Sequence, residues 1–390
     1  MYSYSERLPW PFLENAYSQA IALKRRANAP LLDLSLSNPT TALGSNYPNN
    51  AIRQAFGRLE NFLYEPDPHG LSRAREAVAE YYRELGIAVD AENILLTAST
   101  SEAYALLFKL FCDPGDEVLA PVPSYPLFEY LSALESVKVV PYPLAYDGSW
   151  YLDIKEMASQ IAPRTRAIVI VNPNNPTGVF LKRSECEELF ALAARHNLPI
   201  VSDEVFMDYE IAAGPYVKTL IGRDDVLSFS LNGLSKAAGM PQMKLGWIVV
   251  NGPVAERAAA KARLELLLDT YLSVNTPVQR ALPDLLLAGR EVRDALLLRI
   301  GENLATISEV LSGANAHMLH LEGGWSAILR LPATRSEAAW LHHFLLEGNI
   351  VAQPGYYFDM PAEPYIVISL IVEPAVFRHG LSEIRRLLAS

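Results

Sequence analysis

The chain has 390 residues, half of them hydrophobic, and a formal net charge of −11. This length allows more than one lobe with its own core, and the acidic surface argues against nucleic acid as a partner because phosphates would be repelled. The two cysteines, Cys112 and Cys186, exclude a disulfide framework and favour a reducing, cytoplasmic location. The N-terminus carries no long apolar run, so we expect neither a signal peptide nor a membrane span.

Short apolar runs in the first two thirds of the chain predict strands that are buried on both faces, and amphipathic segments such as Arg183–His196 predict helices between them. The predicted strands are Asn93–Thr97, Glu117–Ala120, Ala167–Val171, Leu198–Ser202, Val226–Phe229 and Gly246–Val250. This alternation predicts an α/β fold with a mainly parallel sheet and helices on both sides.

A second, smaller α/β unit is predicted in the last third of the chain. Two long helices come first, at Glu256–Leu272 and Gln279–Leu311, with Pro277 between them. They are followed by predicted strands and one helix, in the order Met318–Glu322, Ser326–Leu331, the helix Ser336–Glu347, and Tyr365–Leu370.

Three polar signals each follow a predicted strand. They are Asn175 in Asn-Pro-Thr-Gly, Asp203 in Asp-Glu-Val-Phe and Lys236 in Leu-Ser-Lys, separated by 28 and 33 residues. Ligands of open α/β sheets bind at the carboxyl ends of the strands, so an amide, a carboxylate and an amine are expected in one crevice. This trio suits an aromatic aldehyde cofactor, with the lysine as Schiff base and the aspartate beside a pyridinium nitrogen.

The order and spacing of these signals resemble the class I/II aminotransferases, which are fold-type I pyridoxal-phosphate enzymes. The resemblance extends from Leu34-Ser-Leu-Ser-Asn-Pro to Tyr365-Ile-Val-Ile-Ser. It implies pyridoxal 5′-phosphate (PLP) as cofactor and a large PLP-binding domain at residues 46–275. It also implies that the N-terminal segment joins the C-terminal region, giving a small domain of residues 1–45 plus 276–390.

A phosphate site is predicted where the strand at Asn93–Thr97 runs into a helix. Ser99 and Glu102 have capping-box spacing, and a helix N-terminus offers free N–H groups to a phosphate. By resemblance, Thr100 and Ser101 occupy the phosphate-loop positions. Lys244 stands where the family usually has an arginine that grips the phosphate, which keeps the charge but loses the bidentate fork. The alternative is an ordinary capped helix.

The resemblance assigns the remaining cofactor contacts. Tyr125 would stack on the cofactor ring, Asn175 would bind its phenolic oxygen, and Asp203 its pyridinium nitrogen. Lys236 would form the Schiff base and then carry the proton, while Tyr64 would reach the phosphate of a neighbouring subunit in a homodimer. Each residue taken singly also has an ordinary explanation. Tyr125 could be a core tyrosine and Asn175 part of a turn, while Asp203 could cap a helix and Lys236 could be a surface lysine.

The chain departs from the family at three positions. Phe206 replaces a tyrosine, and Gly233 replaces a phosphate-binding serine. Val367 replaces the arginine that binds the substrate's α-carboxylate, a contact typically worth about 1.5–3 kcal/mol. Three explanations stay open: Arg330 binds the carboxylate instead, Asn38 gives a neutral contact, or the substrate has no carboxylate at that position.

The sequence therefore favours an aminotransferase that moves an amino group between an amine or amino acid donor and a keto acid. The alternative is a lyase, decarboxylase or cyclase that uses the same cofactor and lysine, and a non-catalytic cofactor-binding regulator is a third reading. No metal site is expected, because His317 and His320 lie in a strand-like segment without further ligands nearby.

Overall fold

The computed structural model describes residues 2, 4–8, 10, 14–58, 63–272, 274–360 and 364–389. The strands are β1 (Leu32–Asp33), β2 (Ile94–Thr97), β3 (Glu117–Val122), β4 (Lys138–Tyr146), β5 (Trp150–Leu152), β6 (Thr165–Val171), β7 (Leu181–Lys182), β8 (Ile200–Asp203), β9 (Tyr216–Val217), β10 (Ser228–Gly233), β11 (Gly246–Asn251), β12 (His317–Met318), β13 (Ser326–Arg330), β14 (Ile350–Val351), β15 (Gln353–Pro354) and β16 (Tyr365–Ser369). The helices are α1 (Ala16–Arg26), α2 (Pro39–Ala42), α3 (Asn49–Gly57), α4 (Ser72–Glu84), α5 (Thr100–Phe111), α6 (Leu127–Leu134), α7 (Ile154–Ser159), α8 (Arg183–His196), α9 (Leu234–Ala237), α10 (Val254–Tyr271), α11 (Thr276–Val310), α12 (Glu337–Gly348) and α13 (Pro374–Leu388).

The large sheet has eight strands in the order β2-β11-β10-β8-β6-β3-β4-β5. Neighbours from β10 to β4 are parallel, whereas β11 is antiparallel to both its neighbours and β5 is antiparallel to β4. Alternate residues of each strand face opposite sides. In β6, Val169 packs with α5 and α10, and Ile170 packs with α8. The predicted mainly parallel α/β fold is confirmed.

The C-terminal part of the chain forms a four-stranded antiparallel sheet in the order β12-β13-β16-β15. The N-terminal segment joins it, because β1 pairs in parallel with β14. The long helix α11 packs against α3 and α4 and also against α13, so it connects both parts of the chain. The domain limits near residues 45 and 276 stay a prediction. Of the helices described, none is both long and apolar enough to cross a membrane.

The predicted strand Val226–Phe229 is wrong in its limits, because β10 starts two residues later and continues to Gly233. Ser230 and Asn232 lie inside it and are fully buried. The Ser230 hydroxyl donates to Glu204 Oε1 at 3.0 Å, so this buried polar group has a hydrogen-bond partner. An apolar run alone therefore ended the predicted strand too early.

Other element limits also differ from the prediction. Strands β4 and β5 were not predicted, because Pro141 and Pro143 interrupt the apolar residues of β4 and several residues of this strand are exposed. The strand predicted at Met318–Glu322 is wrong in its limits, because only Met318 of that range lies in β12, and Glu322 instead accepts from Phe180 N–H at 2.9 Å. Pro277 lies in the first turn of α11 and not between helices, where its missing N–H needs no partner.

Candidate active site

The carboxyl ends of β2, β3, β6, β8 and β10 point to one edge of the large sheet. Strand β8 lies between β6 and β10, and its last residue, Asp203, is opposite Val171 and Leu231. The Asn172 N–H donates to the Asp203 carbonyl at 2.8 Å. The loops that follow these strands consequently surround Asp203.

Asp203 is a carboxylate largely withdrawn from water. The Tyr104 hydroxyl on α5 donates to Asp203 Oδ2 at 3.2 Å, and the Val205 N–H donates to Oδ1 at 3.2 Å. Burial raises the pKa of Asp203 to about 6, although these two hydrogen bonds and the charge of Lys236 oppose the rise. Sequence reasoning missed Tyr104, because a tyrosine on the buried side of a helix looks like a core residue.

Lys236 lies in α9, directly after β10. Its Nζ is 5.8 Å from the ring centroid of Phe206 and 5.8 Å from that of Trp325. Burial lowers the pKa of the Lys236 amine, and the negative charge of Asp203 partly opposes this. Trp325 was not predicted, because it precedes β13 and only the tertiary structure brings it to the lysine.

The N-terminus of α5 is capped in the predicted way. The Ser99 hydroxyl accepts from Glu102 N–H at 3.1 Å, and Glu102 Oε2 accepts from Ala98 N–H at 2.5 Å. Thr100 and Ser101 are therefore the first two residues of the helix. Their N–H groups lie at the positive end of the helix dipole, where an anion is stabilised.

Gly246, the first residue of β11, packs directly against this helix end. A Cβ at position 246 would lie 3.1 Å from the Ser99 carbonyl carbon and 3.2 Å from Thr100 N. Lys244, two residues earlier, is exposed and has a left-handed φ of 52°. Its backbone is thus next to the same helix end, with the side chain open to solvent.

Asn175, Tyr125 and Tyr64 occupy different depths. Asn175 is partly buried, and its Oδ1 accepts from the Ser326 hydroxyl on β13 at 3.3 Å. Tyr125 is half-exposed, and burial together with the charge of Asp203 raises its pKa, so its phenol lies near that carboxylate. Tyr64 is 69% exposed and accessible to another molecule. Sequence reasoning missed Ser326, which follows Asn175 by 151 residues.

Val367 lies on the face of the small sheet that turns toward Asn175. Val367 is opposite Ile328 and Gln353 in the sheet, and Ser326 is opposite Ser369. Alternate residues share a face, so Val367 lies on the same side as Ser326, which contacts Asn175. Val367 is 1% exposed, and the buried Ser369 hydroxyl has no hydrogen-bond partner among the residues that the structure describes.

The two other substrate-side candidates are separated by the fold. Arg330 is exposed at the far end of β13, four residues or about 13 Å along the strand from Ser326. Asn38 caps α2, where its Oδ1 accepts from Thr40 N–H at 3.0 Å. The next residue, Pro39, is close to Gly239, since a Cβ added at position 239 would lie 3.5 Å from the Cβ of Pro39. Asn38 is thus beside the turn that carries Lys236, and Arg330 is not.

Comparison with known proteins decides the family. The sequence profile described as aminotransferase class I and II matches residues 29–383. The glutamate-pyruvate aminotransferase AlaA of Haemophilus influenzae is 30% identical over 284 residues, which are 72% of this chain and 69% of that protein. The chain belongs to the class I and II aminotransferase family.

Other members of the family show the extent of the likeness. AlaA of Escherichia coli K12 is 32% identical over 255 residues, and the match spans 62% of that protein's length and 65% of this chain. The alanine aminotransferase of Pyrococcus furiosus superposes with a TM-score of 0.88 over 99% of this chain and 100% of its own, at 22% identity. That structure supports the fold-type I architecture.

The cofactor of this aminotransferase is PLP, and the residues present fit it. Asp203 is partly buried, and no ion pair to it is found in the described part of the chain. It can therefore accept a cationic ring N–H. Lys236 offers a partly buried amine, and the N-terminus of α5 offers N–H groups beside Gly246. Among the described residues no cluster of three or more His, Cys, Asp or Glu could hold a metal.

Two departures from the family now have a structural account. A Cβ at position 233 would lie 2.9 Å from Gly246 Cα and 3.0 Å from the Leu245 carbonyl, so a serine does not fit at Gly233 without moving β11. Phe206 has no hydroxyl, and its ring packs edge-on against Trp325 at 4.9 Å. The family's tyrosine contact is therefore replaced by an apolar wall beside Lys236.

Proposed function

We propose that this aminotransferase attaches PLP covalently through Lys236 and moves an amino group from an amine or amino acid donor to a keto acid. The observation that supports the proposal most is the partly buried Lys236 amine, which lies between Phe206 and Trp325 at the sheet edge that carries Asp203. A lysine whose pKa is lowered by burial is uncharged more often, which is the form that reacts with a carbonyl carbon.

When bound, PLP supplies an aldehyde that accepts the donor's amine and a ring that withdraws electrons. The protein's own residues do the rest. Asp203, with Tyr104 behind it, holds a negative charge beside the ring nitrogen. The uncharged Lys236 Nζ accepts the proton from the carbon that bears the donor's amino group. The N-terminus of α5 and Lys244 bind the phosphate.

Glutamate as donor with pyruvate as acceptor, and alanine as donor with the keto acid of glutamate, are the first pairs to test, because relatives carry these names. The strand face beside the site constrains how a carboxylate binds. In the described residues this face presents the apolar Val367 and Ile328 and the neutral Ser326, Ser369 and Gln353 near Asn175, whereas Arg330 lies on the same face at the far end of β13, about 13 Å along the strand from Ser326. A donor carboxylate close to Ser326 would meet the neutral groups of this face, so donors that depend little on an ionic contact there are favoured.

The test is an absorption spectrum of purified, PLP-loaded protein during single additions of alanine, glutamate and carboxylate-free amines. Stoichiometric conversion to pyridoxamine phosphate, with release of the matching carbonyl product, supports the proposal and identifies the donor class. A released product without pyridoxamine phosphate indicates elimination, decarboxylation or cyclisation instead. The variant Lys236→Ala must lose the lysine-bound cofactor band.

The proposal includes a cytoplasmic homodimer in which Tyr64 contacts the cofactor phosphate of the partner subunit. The 69% exposure of Tyr64 leaves its hydroxyl available to a second subunit, and the two free cysteines suit a reducing compartment. Tyr64→Phe should weaken PLP binding, and sedimentation should find a dimer. A monomer whose PLP affinity does not change in the variant contradicts this part of the proposal.

A further inference from the structure

The turn that carries Lys236 is held from behind by two side chains. Helix α9 has only four residues, so its last carbonyl groups need hydrogen-bond donors from outside the helix. The Tyr209 hydroxyl donates to the Lys236 carbonyl at 2.9 Å, and Arg293 Nη1 on α11 donates to the Ala237 carbonyl at 3.2 Å. Both bonds fix the backbone from which the reactive side chain projects.

The Tyr209 ring also supports the walls around the amine. Tyr209 is fully buried, and its ring packs edge-on against Trp325 at 5.1 Å and against Phe206 at 6.2 Å. These are the two rings whose centroids lie 5.8 Å from Lys236 Nζ. One residue therefore contacts the base of the lysine and both aromatic neighbours of its tip.

A buried network keeps Tyr209 and Arg293 in place. The Tyr209 carbonyl accepts from Gly324 N–H at 2.8 Å, which joins it to the loop before β13. Asp208 pairs with Arg293 at 3.7 Å and accepts from the Tyr81 hydroxyl at 2.7 Å. The side chain of Asp208 is only 2% exposed, so this network is shielded from water.

We propose that Tyr209 is a positioning residue for Lys236: its hydroxyl fixes the lysine backbone so that the amine stays between Phe206 and Trp325, away from water. Arg293 is the second support of the same turn. This inference rests on the proposed role of Lys236 in PLP attachment. Asp203 is the charged group that acts on the amine, and Tyr125 lies near that carboxylate. Behind the turn, the titratable and charged groups are Tyr209, Asp208, Tyr81, Arg293 and Lys218.

The variant Tyr209→Phe removes one hydroxyl and keeps the ring that packs against Trp325. The measurement is the rate at which cofactor-free protein captures PLP, recorded from pH 6 to 10. At pH 7 we expect the rate to fall roughly fivefold, which corresponds to the loss of one hydrogen bond of about 1 kcal/mol. The midpoint of the pH profile should move upward, because an amine that is better hydrated holds its proton more strongly.

Tyr142→Phe is the matched control. Tyr142 is also buried, and its hydroxyl donates to the Val169 carbonyl at 2.7 Å, within the large sheet. Both variants lose one buried phenol–carbonyl hydrogen bond, so both should lose similar thermal stability, while only Tyr209→Phe should shift the pH profile. An unchanged midpoint, even with slower capture, leaves the hydroxyl a purely structural role and overturns the proposal.

A second variant covers the case in which Tyr209→Phe does not fold. Arg293→Lys keeps the charge beside Asp208 but loses the fork that reaches the Ala237 carbonyl. It should shift the midpoint in the same direction, and an unchanged midpoint overturns the proposal. Wild-type protein that captures no PLP, or captures it as well after Lys236→Ala, would instead contradict the proposed function.

Discussion

The hydrogen bond from Tyr104 to Asp203 gives the sharpest test of the cofactor site. The Tyr104 hydroxyl donates to Asp203 Oδ2 at 3.2 Å, while its ring packs against Phe128 at 5.1 Å and Phe108 at 5.9 Å. Tyr104→Phe removes the donor and keeps the packing. The ionised carboxylate is then left with the Val205 N–H as its remaining donor within the described residues.

The magnitude follows from the pKa of Asp203, which burial raises to about 6. At that pKa about nine tenths of the carboxylate is ionised at pH 7. A hydrogen bond to a charged group contributes roughly 1.5–3 kcal/mol, so its loss should raise the pKa to about 7–8. If PLP binding needs the ionised form, affinity at pH 7 falls about twofold to tenfold. The loss of affinity disappears near pH 9, where the Asp203 carboxylate is ionised in both the wild type and the variant.

The assay is a titration of cofactor-free protein with PLP, followed by absorbance, at several values between pH 6 and pH 9. Wild-type affinity should decline as the pH falls through about 6, and the decline in Tyr104→Phe should begin at a higher pH. Tyr142→Phe, which loses a buried phenol elsewhere in the large sheet, should follow the wild type. Coincident pH profiles for Tyr104→Phe and wild type would refute the reasoning.

Three further predictions test the helix end, a buried carboxylate and the substrate side. Gly246→Ala should raise the PLP dissociation constant about tenfold, because its Cβ would crowd Thr100 N at 3.2 Å and overpacking costs about 1–3 kcal/mol; equal affinity would contradict the phosphate cradle. Burial raises the pKa of Glu204 to about 7, so its contribution to stability is complete below about pH 4.5 and about 3 kcal/mol is lost as the pH rises to 7. Urea unfolding should show that the free energy of unfolding changes less between pH 5 and pH 8 for Glu204→Gln than for wild type; equal changes in the two proteins would exclude this account. Arg330→Ala should keep kcat/KM for alanine within twofold, and a tenfold loss would return Arg330 to the substrate site.

Much of the site could be predicted because its signals are local. Asp203 is the last residue of β8, while Asn175 and Lys236 follow shortly after β6 and β10, and these three strands are adjacent and parallel. Strand ends of this kind converge whatever the rest of the chain does. The capping pair Ser99 and Glu102 is local in the same sense, since both residues belong to one helical turn.

The sequence by itself therefore determined the α/β class, the mainly parallel sheet, and the amine, carboxylate and amide at the ends of its strands. Only the tertiary structure decided what surrounds those groups. Tyr104 reaches Asp203 across 99 residues, Ser326 reaches Asn175 across 151, and Tyr209 holds Lys236 across 27. Such contacts have no spacing rule, because they depend on how separate elements pack and not on the period of one helix or strand.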